Sequence, residues 1–281
     1  MKKISNCTIV TVDPTQRIIE NGVLVIDRDR IAWVGKEHSM PGKFRKAKNI
    51  NAAGKIVFPG FVNIHTHVTL SIMRGVADDL GLAPSYSPKV PQWRNFSARD
   101  CYIFSLLGGM EALRFGTTCI VDNYLHAHES AKAFSELGLR AVVSERLHDA
   151  SLTKVPQGIY EFDMSKGEEL LTRGIDLIDH WNGIPNSRVR ACLGPHAPDT
   201  CSPGYLRAVR EEAENNDVGL VIHLAQSKRE GEVILDRSGL SPTAYLADIG
   251  ILGNDLIAGH CIYVDDKDIK LLRESEAHVS H

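Results

Sequence analysis

From about residue 60 onward the chain alternates short, nearly continuous apolar runs with longer stretches of helical character. No other feature constrains its fold as much. The apolar runs cover residues 61–64, 117–121, 140–144, 189–193, 219–222, 256–258 and 277–280. A run this short and this apolar fits a parallel strand buried on both faces. The helical stretches between them are 97–114, 127–137, 167–181, 203–215, 242–249 and 265–274, the first opening on Ser97-Ala98-Arg99-Asp100, a cap-like start. Alternation of this kind implies an α/β protein with a parallel sheet and right-handed crossovers. About seven strands in series point to a (β/α)8 TIM-type barrel rather than an open sheet. Residues 3–12, 22–26 and 30–34 differ: they are rich in Val and Ile and separated by polar or Gly-containing turns, as short antiparallel strands are. The change falls at Gly54-Lys55-Ile56-Val57-Phe58-Pro59-Gly60, which assigns 1–57 to a small β unit and 58–281 to the barrel.

Composition narrows the function classes. The chain is 43% hydrophobic and 24% charged with a formal net charge of −3. No basic run marks a nucleic-acid binder, and no apolar run reaches the ~20 residues of a membrane-spanning helix. Asp13 arrives too early for a secretory apolar core. The 6 cysteines are scattered with no C-x-x-C pair, so they read as small core residues with reduced thiols in a cytoplasmic protein.

The chemistry-bearing residues are histidines. His65-Thr66-His67 closes the first barrel run, and residues two apart in a strand share a face, so both imidazoles can meet one ion. With 12 histidines in the chain, roughly half an H-x-H is expected by chance. A second one, His126-Ala127-His128, stands where a helix starts, and helical spacing would splay its rings. What separates the first pair is company. His223, His260 and His281 also close apolar runs, and His196 follows Cys192-Leu193-Gly194-Pro195. In a barrel the C-terminal strand ends form one ring, where active sites sit, so these imidazoles converge. Residues 81–93, rich in Pro and Ser, follow the first strand and read as a loop over that face, either a lid or a plain connection.

Pro59 to His67, followed by Leu70-Ser71-Ile72-Met73-Arg74-Gly75-Val76-Ala77-Asp78-Asp79-Leu80, resembles the amidohydrolase superfamily. So do Gly116-Thr117-Thr118, Gly194-Pro195-His196-Ala197-Pro198, His223-Leu224-Ala225-Gln226 and Gly259-His260-Cys261. The resemblance is closest to the branch of cytosine and guanine deaminases, methylthioadenosine/S-adenosylhomocysteine deaminases and triazine chlorohydrolases. It implies that His65, His67 and His223 hold one divalent metal ion, Zn or Fe. It implies that His260 orients the hydrolytic water and that His196 and Arg146 contact a small heterocyclic substrate. For Arg146 a salt bridge to Glu145 or a neighbouring carboxylate is the alternative. The implied activity is hydrolysis of C–N bonds other than peptide bonds, by deamination of a cyclic amidine or nucleobase-like ring. Homodimers are frequent in the superfamily. The N-terminal strands become part of a small β-sandwich.

Two departures qualify the expectation. The family's deaminases carry Glu three residues after the strand-five histidine, and here that position is Gln226. An amide has no titratable proton to shuttle, although it can still hydrogen-bond. Glu230, one turn on, can replace it or simply cap the helix start. Gln226 therefore leaves open a triazine-type dechlorinating or dealkylaminating hydrolase, or a non-catalytic metal- or ligand-binding homologue. The family's fourth ligand, an Asp ending strand eight, is expected beyond His281. The chain thus reads as a barrel lacking its C-terminal end, with an incomplete metal site.

Overall fold

A computed structural model describes residues 1–76 and 96–281. The expected loop at 81–93 lies outside the described residues. The chain divides into two compact units, Met1–Phe61 and Val62–His281.

The first unit is one five-stranded sheet of β1 (Lys2–Val10), β2 (Ile18–Asp27), β3 (Arg30–Lys36), β4 (Lys48–Asn51) and β5 (Ile56–Val57). Strand β2 runs antiparallel to both β1 and β3, while β4 and β5 lie parallel to β1. Cys7, Ile9, Ile19 and Leu24 form a small core of its own.

In the second unit the strands are β6 (Phe61–Thr66), β7 (Thr117–Tyr124), β8 (Arg140–Leu147), β9 (Val189–Ala191), β10 (Gly194–Pro195), β11 (Leu220–Leu224), β12 (Leu256–His260) and β13 (His278–Ser280). Neighbours run in chain order. Strands β6, β7 and β8 are adjacent, and β9 and β10 both pair with β8. A parallel bridge from Leu193 to Leu220 continues to β11, β12 and β13. Strands β9 and β10 are one sequence run interrupted at Cys192-Leu193, so seven strand positions are filled among the described residues. The crossovers are α1 (Ala98–Arg114), α2 (Ala127–Leu137), α3 (Met164–Asn182), α4 (Pro203–Asn215), α5 (Lys228–Ser238), α6 (Pro242–Asp248) and α7 (Asp266–Glu274).

Local sequence explains where these helices start. Ser97, Asp163, Ser202, Ser227, Ser241 and Asp265 are N-caps whose side chains accept a backbone N–H of the first turn. Helix α2 has no such cap. His126 occupies its N-cap position with φ 54°, and Glu145 of β8 accepts instead from the N–H groups of His126 and Ala127. Between strands and helices lies the main core, including Phe134, Leu147, Leu177, Leu206 and Ile222.

Inside the barrel, Val121, Cys192 and Val221 pack together with Ile64, Val142 and Ile257, one side chain from each successive strand. A strand returns to the same face every second residue. The next inward positions on β7, β8, β10, β11 and β12 are therefore Asn123, Ser144, Gly194, His223 and Gly259. An apolar floor thus carries a polar layer at the C-terminal end of the barrel, where the expected histidines arrive.

Candidate metal centre

His65, His67 and His223 each offer a ring nitrogen within 4.8 Å of the other two, and among the described residues they are the one group of three or more His, Cys, Asp or Glu that could hold a metal ion. His67 Nδ1–H donates to the Asn123 carbonyl at 2.6 Å, and His223 Nδ1–H donates to the His196 carbonyl at 2.5 Å. Each bond fixes a tautomer and leaves Nε2 with its lone pair free. Those two Nε2 atoms lie 3.1 Å apart. The third, His65 Nε2, is buried and has no hydrogen-bond partner among the described residues. Two lone pairs facing each other and a third buried without a donor are unfavourable unless a cation sits among them. The donor set fits an imidazole-binding divalent metal such as Zn or Fe.

Electrostatics keep the rings neutral, the form that binds metal. Burial, then the charges of His260 and Arg146, lowers His65 to about 4. Burial holds His67 and His223 well below the usual histidine value, helped by the Arg146 charge at His67 and by His196 at His223.

The other expected residues gather around this group. The His260 ring is 4.7 Å from that of His65 and stacks 5.4 Å from His223. Its φ of 75° is a strained left-handed backbone for a residue with a Cβ. Burial and then His281 lower its pKa. His196 lies 4.9 Å from the His223 ring and bonds Thr200 Oγ1 through Nδ1 at 2.7 Å. Arg146 is 2% exposed, with its guanidinium 5.1 Å from the Tyr124 ring centroid, and burial lowers its pKa to about 10. The Glu145 carboxylate, an alternative partner for Arg146, is engaged at the start of α2.

Gln226 stands at the turn from β11 into α5, where its N–H donates to Glu230. Glu230 is fully buried and accepts from Ala225 N–H at 2.8 Å and Gln226 N–H at 2.9 Å. Ala225 there takes φ 49°. Glu230 thus holds the turn after His223, which is the capping reading of this residue. Burial and then the Asp199 carboxylate push its pKa well up.

The second H-x-H separates as expected. His128 turns to Asp176 on the surface at 3.0 Å, while His126 begins α2 and borders a cavity with His148, Ser151 and Lys166.

Residues that the sequence did not single out also hold the centre. Asp122 Oδ1 accepts the Val68 N–H at 2.6 Å, pinning the backbone just after His67. Burial raises the Asp122 pKa to about 7. Asn123 supplies the carbonyl that orients His67. Two polar residues ending the apolar run Cys119-Ile120-Val121 were the available signal, since strand ends are where a barrel builds its site.

The Amidohydrolase family model matches residues 56–281. The chain is 36% identical over 279 residues to a 5'-deoxyadenosine deaminase of Methanosarcina acetivorans, covering 99% of this chain and 61% of the relative. It is 36% identical over 261 residues to a 5-methylthioadenosine/S-adenosylhomocysteine deaminase of Desulforudis audaxviator, covering 92% and 58%. The chain therefore spans about three-fifths of the length of the curated relatives it matches. Among solved structures, an adenosine deaminase from Xanthomonas campestris with bound zinc superposes with TM-score 0.79 at 25% identity, over 99% of this chain and 62% of that one. An atrazine chlorohydrolase from Arthrobacter aurescens complexed with zinc gives 0.81 at 20% identity, over 100% and 65%. At that identity the second likeness shows the fold, a (β/α) barrel, alone.

Proposed function

The chain belongs to the amidohydrolase family, and we propose that it serves as a metal-dependent hydrolase of C–N bonds, deaminating a small nucleoside-like heterocycle in the cytoplasm. One observation carries the reading: ring nitrogens of His65, His67 and His223 converge, and carbonyl acceptors fix the tautomers of His67 and His223. These three residues would hold one divalent ion, with zinc favoured by the zinc-bound adenosine deaminase of similar structure. When bound, such an ion acts as a Lewis acid and makes water acidic enough to ionise near neutral pH, at a pKa of ~7.

The chain's own residues do the rest. His260, neutral because burial lowers its pKa, accepts the proton of the attacking water on its ring. Water adds to the electron-poor ring carbon bearing the amino group, the proton taken up by His260 passes to the amino nitrogen, the C–N bond breaks with release of ammonia, and the second water proton ends on the ring nitrogen as the carbonyl forms. Arg146 and His196, both buried beside the histidine group, orient the heterocycle. Gln226 hydrogen-bonds water or substrate without moving a proton. Scattered free cysteines accord with a reducing compartment.

The test is to load the protein with Zn²⁺ and measure ammonia released from 5'-deoxyadenosine, 5-methylthioadenosine and S-adenosylhomocysteine. Metal-dependent release from any of them supports the reading. Gln226 favours a second reading, in which the leaving group needs little protonation, as chloride does not. Chloride released from a chlorotriazine, without ammonia from the nucleosides, would select it. No turnover despite retained Zn²⁺ would leave a metal-binding homologue.

A further inference from the structure

We propose that Asn123 is a positioning residue of the three-histidine centre, setting the separation of His67 from His223 through Gly194. The inference rests on the metal reading above. Asn123 acts at both ends of its own residue. Its main-chain carbonyl receives His67 Nδ1–H at 2.6 Å. Its side-chain Nδ2 donates to the Gly194 carbonyl at 3.2 Å. Two residues past Gly194, the His196 carbonyl receives both the backbone N–H of His223, at 3.0 Å, and its Nδ1–H, at 2.5 Å. The two carbonyls that orient the two facing imidazoles thus belong to β7 and to the segment leaving β10. These strands are not neighbours: β8 lies between them. The Asn123 amide spans that gap inside the barrel.

The surrounding sequence is built for this span. Asn123 is paired in register with Ser144, and Gly194 with Arg146. A Cβ at Gly194 would sit 2.3 Å from Asn123 Nδ2 and 2.5 Å from Ser144 Oγ, so only glycine lets the amide reach the carbonyl. Asn123 is 1% exposed. Its Oδ1 has no hydrogen-bond partner among the described residues, so the Nδ2 donor is what the side chain contributes. A shorter or apolar side chain removes the tie while leaving the His67 acceptor, which is main chain, in place. The two Nε2 atoms then lose their fixed spacing, and residues supporting metal ligands typically matter by ~10- to 100-fold in metal affinity.

The experiment compares Zn²⁺ dissociation constants, by chelator competition, and Co²⁺ visible absorption for the parent, Asn123→Leu, Asn123→Ser and Gly194→Ala. Melting of the metal-free proteins is followed in parallel. Asn182→Ala is the matched control, since Asn182 bonds the Ala191 backbone at the start of the barrel and only stability should change. The expected result is Zn²⁺ binding weakened about tenfold or more in the Asn123 variants, with an altered Co²⁺ spectrum, and unchanged binding in the control. Gly194→Ala, which attacks the same contact from the other side, should reproduce the loss. Parent-like affinity, within about twofold, in folded Asn123→Ser or Asn123→Leu overturns the proposal while leaving the metal reading intact. If the parent itself retains no Zn²⁺, the metal reading fails and the proposal falls with it.

Discussion

His67 Nε2 and His223 Nε2 face each other at 3.1 Å although 155 residues of chain separate them. Each ring has already given its Nδ1–H to a carbonyl, so neither can donate to the other. A cation between them resolves the conflict, and the first prediction follows directly. Adding Zn²⁺ to metal-free protein should raise its melting temperature, because a ligand at 100 times its dissociation constant stabilises by about 2.7 kcal/mol. Chelation should reverse the gain. His223→Ala should melt at the same temperature with and without Zn²⁺, as followed by circular dichroism.

Gly259 provides a steric test of the same group. A Cβ there would stand 2.7 Å from both Cε1 and Nδ1 of His65. Gly259→Ala should therefore displace the His65 ring and weaken Zn²⁺ binding, on the order of tenfold for a disturbed ligand position. Isothermal titration reads this. Unaltered affinity would show that His65 is not a ligand.

Much of this centre was legible because period-two strands bring residues of one parity to one face, and because barrel strands expose their C-terminal ends together. Shared parity pairs His65 with His67, while His196, His223 and His260 are marked only by standing at or just after the ends of apolar runs. The apolar runs stopped short of the real strand ends, however. Strand β7 continues to Tyr124, β8 to Leu147, β11 to Leu224 and β12 to His260. The added residues include the polar ones that build the site, so a hydrophobicity pattern fades where function begins. The roles of Glu145 and Asn123 were not legible because their partners are remote in sequence: Glu145 caps a helix 18 residues before it and Asn123 reaches Gly194 at 71 residues' distance. The extent of α5 was not legible because Lys-Arg-Glu-Gly-Glu opens it with no apolar residue and a glycine. Strand β4 is exposed throughout and shows no alternation.

Gln226→Glu restores the carboxylate that deaminases of the family carry at this position. The account predicts faster ammonia release, by ~10² or more, the usual contribution of a positioned acid–base group. The rate should acquire an acidic limb as the new carboxylate titrates. Steady-state kinetics over pH measure both. A rate that stays level or falls would mean that Gln226 is adapted to a leaving group other than ammonia.

Glu230 governs stability. Replacing it with Ala leaves the Ala225 and Gln226 N–H groups without their acceptor, at a cost on the order of 1–3 kcal/mol. Its pH behaviour has a definite sign. Burial raises the folded-state pKa above the ordinary glutamate value, so the folded protein holds this proton more tightly than the unfolded chain. The contribution is therefore complete below about 4.5 and is lost as pH rises through the raised value. Urea melts of parent and Glu230→Gln should differ in slope against pH between the ordinary glutamate value and the raised one, the parent falling more steeply there. Parallel slopes would contradict the buried-carboxyl assignment.

The most direct measurement of the central claim is metal content after Zn²⁺ loading and exhaustive dialysis, with X-ray absorption at the zinc edge. The account predicts about one equivalent held by three imidazole nitrogens, lost in His65→Ala, His67→Ala and His223→Ala. Zinc absent from the dialysed parent, or retained equally in those three variants, would contradict it.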